Sequence, residues 1–471
     1  MTEENQKIVT RFPPSPTGMM HIGTARTALF NWLFARKHGG KMLFRIEDTD
    51  RARHNEKAVT ALINATKWLG LDWDGEIVSQ YERREHHVSI AQKLLEDGKA
   101  WKCYYSQEEL EAIRKENGGF KLPRREELES KYTPSQTEEY TVRILGPVEG
   151  ETTVSDKVQG DVTMQNAELD DFVLLRSDGT PTYMLSVVCD DHDMGVTHVI
   201  RGDDHLNNTF RQNVIYDAMC WQKPVYAHVP LILGPDGTKM SKRHGAASVE
   251  EYREMGYLPE AMRNYLLRLG WSHGDDEIIS DAQAKEWFDL EHIGKSAARF
   301  DFDKLENLNA HYIRESDTDA LLKECEHFYQ KNHNITPNVQ AISQIKACAD
   351  ELKSRAKTLI QLTDESAFFA KDVPLNFDEK ASTVLSPDAL AILGHLEKSF
   401  EDCDAFTSLD IQDICKVIAK EYVGGKLGKV AMPLRAALTG TTVSPSVFHV
   451  AEILGKEETC NRIRSAITAM Q

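Results

Sequence analysis

The chain has 471 residues, 41% hydrophobic and 28% charged, with a formal net charge of -18. That size and composition suit several packed domains and exclude a disulfide-stapled mini-protein or a disordered chain. The acidic balance excludes a generic nucleic-acid coat, because a phosphate backbone would be repelled over most of the surface; any nucleic-acid contact has to be local.

The opening MTEENQKIVTRF is acidic and polar where a secretory signal would be basic and then apolar. No apolar run reaches the length of a membrane span, so the expectation is a cytoplasmic protein with no membrane contact. Eight cysteines, at 103, 189, 220, 325, 348, 403, 415 and 460, include no CxxC pair. Scattered in this way they suit buried free thiols in a reducing compartment.

In chain order, Ile8 to Phe12 is a β-prone run, and Pro13 to Gly18 forbids regular structure. Ala25, Ala28, Leu29, Trp32 and Leu33 then recur at helical spacing until Gly39-Gly40, and Met42 to Ile46 reads as a second strand. Strand, Gly/Pro loop, helix and strand make a βαβ unit, the nucleus of a doubly wound parallel sheet whose ligands sit at the strand ends. After a helical pattern from Val88 to Leu95, the stretch from Cys103 to Tyr183 is less regular and reads as an insertion. It contains "YTVRIL" and a hairpin signal in "FVLLRSDGTPTYML", where Asp178-Gly179 suits a type I′ turn. Strands resume at "THVIRG" and "HVPLIL", ending in the turn Pro235-Asp236-Gly237 before "TKMSKRHG". From about residue 320 the chain favours helix, broken mainly at Gly424-Gly425 and "LTGTTVSPSV". There is no internal repeat and no low-complexity tract.

Two stretches carry chemistry. In "PPSPTGMMHIGT", residues 13–24, a glycine-bearing loop runs into a helix start, where free backbone N–H groups and the positive end of the helix dipole make an anion site. Gly18 and Gly23 let a ligand approach closely, while His21 and Thr24 supply hydrogen bonds to phosphate. In "GTKMSKRHG", Lys239, Lys242 and Arg243 cluster among glycines, as a mobile clamp for a polyphosphate requires. Either stretch alone also reads as an ordinary βα loop or a solvated basic turn. Their occurrence together decides for the polyphosphate.

With that pair in hand, the sequence resembles the class I aminoacyl-tRNA synthetases, and among them the bacterial-type glutamyl-tRNA synthetases. "RFPPSPTGMMHIGTARTALFNWLFAR", "FRIEDTD", "YMLSVVCDDHDMGVTHVIRGDDH", "GTKMSKRHG", "LLRLGWSHG", "FDFDKLENLNAHYI" and "GKVAMPLRAALTG" look like that family's motifs in its order. Thr24 stands at the second histidine of the general HIGH motif and Arg243 at the serine of KMSKS; both departures are habitual in the glutamyl branch. The resemblance implies a Rossmann-like doubly wound catalytic domain with an α+β insertion, followed by an all-helical anticodon-binding region. Its boundaries are 1–102 and 184–245 for the two catalytic halves, 103–183 for the acceptor-end insertion, 246–325 for a stem-contact region and 326–471 for the helical rear.

The activity implied is ATP-dependent activation of L-glutamate to glutamyl-adenylate and transfer to the terminal ribose of tRNA(Glu), with charging of tRNA(Gln) left open. By match to the family, Arg11 and Arg201 face the substrate carboxylates, Glu47 with Ser15 holds the ammonium, and Tyr183 adds a hydroxyl to the wall. Ser15, Gly18, His21, Gly23, Thr24, Asp204, Lys239 and Lys242 are expected at ATP, with Lys242 and His21 serving the chemical step. Residue chemistry agrees: glutamate carries two carboxylates and one ammonium, and an arginine fork matches a carboxylate. Without the family match, Arg11 and Arg201 read equally as structural ion-pair partners and Glu47 as part of an acidic turn. Mg²⁺ is implied by the triphosphate, held mainly by phosphate oxygens and water.

No structural zinc is expected, since "WKCYYS" leaves Cys103 without a second cysteine. Candidate tRNA contacts are Lys121 to Arg125 and the "GGKLGKVAMPLR" stretch, and the resemblance implies a monomer. Three other readings share parts of this pattern. A glutaminyl synthetase shares the fold, but the "SPTG" and "RIEDTD" wording is glutamyl. The short relative that modifies a base of tRNA(Asp) lacks the helical rear, and a non-enzymatic paralogue would be expected to lose residues such as Arg11 or Lys242.

Overall fold

The computed structural model describes residues 7–50, 55–119, 122–135, 138–240 and 248–471. The chain divides into two compact units, one of residues 1–252 and 262–301 and one of residues 253–261 and 302–471. The stretch 246–325 is thus shared between them.

In the first unit, β1 (Val9–Phe12) runs into α1 (Ile22–Lys37) and returns as β2 (Lys41–Ile46), which pairs parallel to β1 with Arg11 opposite Leu43. The α1 helix is enclosed: Ile22, Ala25, Ala28, Leu29, Phe30, Trp32, Leu33 and Phe34 are buried, as expected of a helix apolar around most of its surface. Gly40 follows because nothing larger fits there; a Cβ would stand 2.2 Å from the Ile8 carbonyl oxygen. Next come α2 (Glu56–Trp68), the short β3 (Val78–Ser79) beside β2, and α3 (Arg84–Glu96).

The middle of the unit contains β4 (Ala100–Cys103), α4 (Gln107–Glu116), α5 (Arg125–Lys131), β5 (Thr141–Ile144), β6 (Glu151–Asp156), β7 (Gly160–Gln165) and β8 (Val173–Leu175). β4, β5 and β8 form a small antiparallel sheet. Cys103 is packed among Trp101, Tyr105, Leu110, Ile113 and Leu128. The β6–β7 hairpin lies within the stretch read as insertion but pairs parallel with the main sheet through Asp156 and Tyr226.

The hairpin expected around Asp178-Gly179 is a correction. The turn forms, with Gly179 at φ +80° and Arg176 N–H bonded to Thr180 O at 2.9 Å. Its second arm is only a bridge at Pro181, because Tyr183 already opens a helix, α6 (Tyr183–Asp193). Burial of Leu185, Val187, Val188 and Cys189 overrides the strand preference of the valines.

β9 (His198–Gly202), α7 (Leu206–Ala218) and β10 (Val225–Val229) complete a second parallel pair, with Arg201 opposite His228, and β11 (Ile232–Leu233) follows. β1 lies beside β9, where Thr197 N–H donates to Val9 O at 2.9 Å. The spatial order is therefore β3-β2-β1, then β9-β10-β6-β7. Chain direction along the sheet reverses between β1 and β9, which is where a doubly wound sheet opens its crevice.

In the second unit, every regular element described from Phe302 onward is helical. Its core includes Leu393, Leu396, Phe400, Ile411, Leu434 and Ile463. Gly440, at φ +77°, ends the Gly428–Thr439 helix where a Cβ would meet the Asn376 carbonyl oxygen at 2.5 Å. Among the described residues no helix is long and apolar enough to cross a membrane.

Candidate active site

A cleft of about 810 Å³ opens at the carboxyl ends of β1 and β9, within the size range of small-molecule sites. Arg11, Ser15, Gly18, His21, Gly23, Thr24, Glu47, Tyr183, Arg201, Asp204 and Lys239 line it. Eleven of the twelve residues expected at the site thus meet in one cavity. Lys242 lies outside the described residues, as does Arg243. The flanks of that segment are anchored at the cleft: Met240 N–H bonds Ile232 O at 3.1 Å, and Val249 N–H bonds Met20 O at 2.9 Å.

One end of the cleft is the start of α1. Its first turn carries no acidic side chain, so the positive end of the helix dipole is not neutralised there. His21 is the N-cap: its Nδ1 accepts from Gly23 N–H at 3.2 Å, which leaves the ring proton on Nε2. Burial, then Lys239, push the imidazole below its ordinary pKa, so it is a neutral capping group at pH 7. A Cβ on Gly18 would meet no protein atom within 4 Å, so that backbone faces open space. Lys239 Nζ and Asp204 Oδ2 stand 3.8 Å apart, both largely exposed.

The other end is a buried charge cluster. Arg11 Nε donates to Asp191 Oδ1 at 3.2 Å, and Arg45 Nη1 donates to the same oxygen at 2.6 Å. Arg45 Nη2 also reaches Glu47 Oε1 at 3.3 Å, and Glu47 N–H bonds Pro14 O at 3.0 Å, which sets Glu47 beside Ser15. Arg201 donates from Nε to His228 Nε2 at 3.0 Å and from Nη2 to Thr209 Oγ1 at 2.8 Å and Gln212 Oε1 at 2.9 Å. Tyr183 Oη lies 3.3 Å from His205 Nδ1.

The informative atoms are two that do none of this. Arg11 Nη1 and Arg201 Nη1 are buried without a hydrogen-bond partner, although both arginines line the same cleft. A buried guanidinium N–H left unsatisfied is costly, so the pair is built to receive acceptor oxygens. Arg11, Arg45 and Arg201 set against Asp191 and Glu47 leave one positive charge, the complement of an amino acid with two carboxylates and one ammonium.

The pKa directions follow the geometry. Burial works to raise the Asp191 carboxyl, but Arg11 and Arg45 outweigh it and hold the group below its ordinary value. For Glu47 burial wins over Arg45 and Arg11, and its pKa is raised; a ligand ammonium beside it would favour the charged form. Tyr183 is pushed up to about 12 by burial and then by Glu47, so its hydroxyl remains a donor.

Residues 7–307 match the family described as tRNA synthetases class I (E and Q), catalytic domain, and residues 320–467 match an anticodon binding domain. The chain belongs to the E and Q class I tRNA synthetases. Curated relatives named glutamate–tRNA ligase 2 include one from Rhodospirillum centenum, 54% identical over 98% of this chain and 99% of its own, and one from Paramagnetospirillum magneticum, 52% identical over 98% and 97%. A solved glutamate tRNA ligase from Elizabethkingia meningosepticum, in complex with its amino acid, superposes with a TM-score of 0.84 at 32% identity, covering 99% of this chain and all of the other.

Within this class I synthetase, sequence reasoning missed Asp191, Arg45, His205 and the partners of Arg201. Asp191 reads as one more acid in "VVCDDHD", and only the fold brings it to Arg11. Of the candidate tRNA cations, Arg124 is consumed internally by Asp171 at 2.6 Å and two backbone carbonyls, and Lys121 lies outside the described residues. Arg125 pairs with Glu129 and sits over Trp101, while Lys426 and Lys429 are exposed.

Proposed function

We propose that the cleft binds L-glutamate at the Arg11–Arg201 end and the ATP phosphates at the α1 end. The chain acts as a glutamate–tRNA ligase, as its family, its relatives over nearly the full length and its structural neighbours agree. The observation that carries the placement is the pair of unsatisfied buried Nη1 groups on two arginines that line the same cleft as the start of α1.

In this reading one glutamate carboxylate and the side-chain carboxylate engage the two arginines, and Glu47 with Ser15 takes the ammonium. The α-carboxylate oxygen attacks the α-phosphorus of ATP; the acyl–phosphate bond forms as the bond to pyrophosphate breaks. A hydroxyl of the terminal tRNA ribose then attacks the acyl carbon, AMP leaves, and the hydroxyl proton goes to solvent or phosphate. The nucleophile of the first step is already an anion, so the protein supplies position and charge rather than a base. Lys239 and Lys242 neutralise phosphate, and His21 holds the start of α1 in place.

Mg²⁺, when bound, supplies further neutralisation of the phosphates. The described cleft offers it the Asp204 carboxylate and no cluster of three ligands, which suits an ion held mainly by phosphate oxygens and water. The helical rear contributes the anticodon contacts, and the enzyme works as a cytoplasmic monomer. ATP–pyrophosphate exchange in the presence of tRNA(Glu) tests the pocket. Glutamate should support exchange and glutamine should not; equal exchange with both would refute the assignment of the arginines to the side-chain carboxylate.

A further inference from the structure

Arg201 spends its Nε and Nη2 on protein groups, Nη1 is left without a partner, and the residue lines the cleft, so its usefulness depends on what fixes the plane of the guanidinium. We propose that Asp156 and His228 are positioning residues that set this plane for carboxylate recognition. The proposal rests on the reading of Arg201 as a glutamate contact and extends it to residues that do not line the cleft.

Two hydrogen bonds run from Asp156 through His228 to Arg201. Asp156, at the end of β6, accepts from His228 Nδ1 with Oδ2 at 2.6 Å. That bond puts the ring proton on Nδ1 and leaves Nε2 as an acceptor. His228 Nε2 then accepts from Arg201 Nε at 3.0 Å, with Thr209 Oγ1 3.2 Å away. Both His228 and Asp156 side chains are fully buried, so no water competes for these bonds. Register explains the placement, since parallel pairing of β9 and β10 sets Arg201 directly opposite His228.

The tautomer is the critical element. A proton on His228 Nε2 would point at the Arg201 Nε proton, and the guanidinium would have to rotate away. Asp156 is well suited to prevent this. Its Oδ1 accepts from the backbone N–H groups of Val158 at 2.9 Å, Gln159 at 2.8 Å and His228 at 3.1 Å, and its Oδ2 from His228 N–H at 3.1 Å and from Nδ1. An asparagine here cannot turn its NH₂ toward Oδ1, where three donors converge. It must present NH₂ to Nδ1 and so drive the imidazole proton to Nε2.

The test is steady-state charging by the full-length enzyme with Asp156→Asn, His228→Leu, His228→Gln and Arg201→Ala, alone and with Asp156→Asn combined with Arg201→Ala. Asp156→Asn and His228→Leu should raise KM for glutamate about tenfold while leaving KM for ATP unchanged, the scale on which removal of a supporting partner is felt. His228→Gln, which can present an acceptor where Nε2 stood, should stay within about threefold of wild type. Adding Asp156→Asn to Arg201→Ala should bring no further rise. If Asp156→Asn were to unfold the protein, the His228→Leu and His228→Gln pair carries the same comparison. Unchanged glutamate KM in His228→Leu while Arg201→Ala is selectively impaired would overturn the positioning role alone. A non-selective Arg201→Ala would overturn the pocket reading and the proposal together.

Discussion

Arg11 Nε and Asp191 Oδ1 lie 3.2 Å apart with both side chains almost wholly buried, and Arg45 shares the same oxygen. One carboxylate therefore holds two guanidinium groups beside the cleft that Arg11 lines, and leaves Arg11 Nη1 without a protein partner. Asp191→Ala should cost about 3 to 5 kcal/mol, because it leaves buried cations uncompensated. Chemical denaturation of the two proteins checks this.

The same carboxylate gives a signed pH dependence. Its folded pKa is depressed below the ordinary value of about 3.9. Its contribution is therefore fully present above about pH 4 and disappears as pH falls through the folded value. The stability difference between wild type and Asp191→Asn should be constant near neutrality and shrink in strong acid. A difference that grows on acidification would contradict the pairing.

Arg201→Ala removes a buried partner of a substrate carboxylate and should cost on the order of 2 to 5 kcal/mol in glutamate binding. KM for glutamate should rise far more than KM for ATP. Equal effects on both would make Arg201 purely structural.

Lys242→Ala should lower the rate of adenylate formation by roughly two to three orders of magnitude, the usual consequence of losing one preorganised electrostatic partner. Glutamate affinity should change little. Near wild-type turnover would remove Lys242 from the chemical step.

Elemental analysis of untagged protein should find zinc well below one atom per chain. Cys103 is packed in an apolar cluster. Elsewhere, Cys348, Glu351 and His449 approach one another, but Glu351 is already spent on His449 Nδ1 at 2.6 Å and Ser446 N–H at 2.7 Å. Burial, with Glu351 nearby, also pushes the Cys348 thiol up to about 12, so it stays protonated. Stoichiometric zinc that resists chelation would contradict this.

What could be read from the sequence was whatever local chemistry dictates. Pro13, Pro14, Gly18 and Gly39-Gly40 punctuate the first βαβ unit, and the helical spacing between them marks β1, α1 and β2; the roles of Arg11, Ser15 and Glu47 come from the family resemblance and not from that spacing. The turn before Tyr183 reads as one that continues into a strand, but burial of Val187 and Val188 makes the segment helical. Asp191 and Asp156 carry no local signal. The first is 180 residues from Arg11 and the second 72 from His228, and only sheet order and register bring them together. The proposed substrate contacts sit in motifs that carry the family resemblance, whereas the residues that orient them carry no such local signal.

ATP-dependent transfer of labelled glutamate to purified tRNA(Glu), run beside tRNA(Gln) and beside labelled glutamine, reads out the whole reaction. Stable glutamyl-tRNA(Glu) that requires ATP should form, with no charging by glutamine on either tRNA; the tRNA(Gln) lane shows whether the enzyme discriminates. Glutamine charging at a comparable rate, or no glutamyl-tRNA(Glu) under conditions where the enzyme is folded and binds ATP, would contradict it.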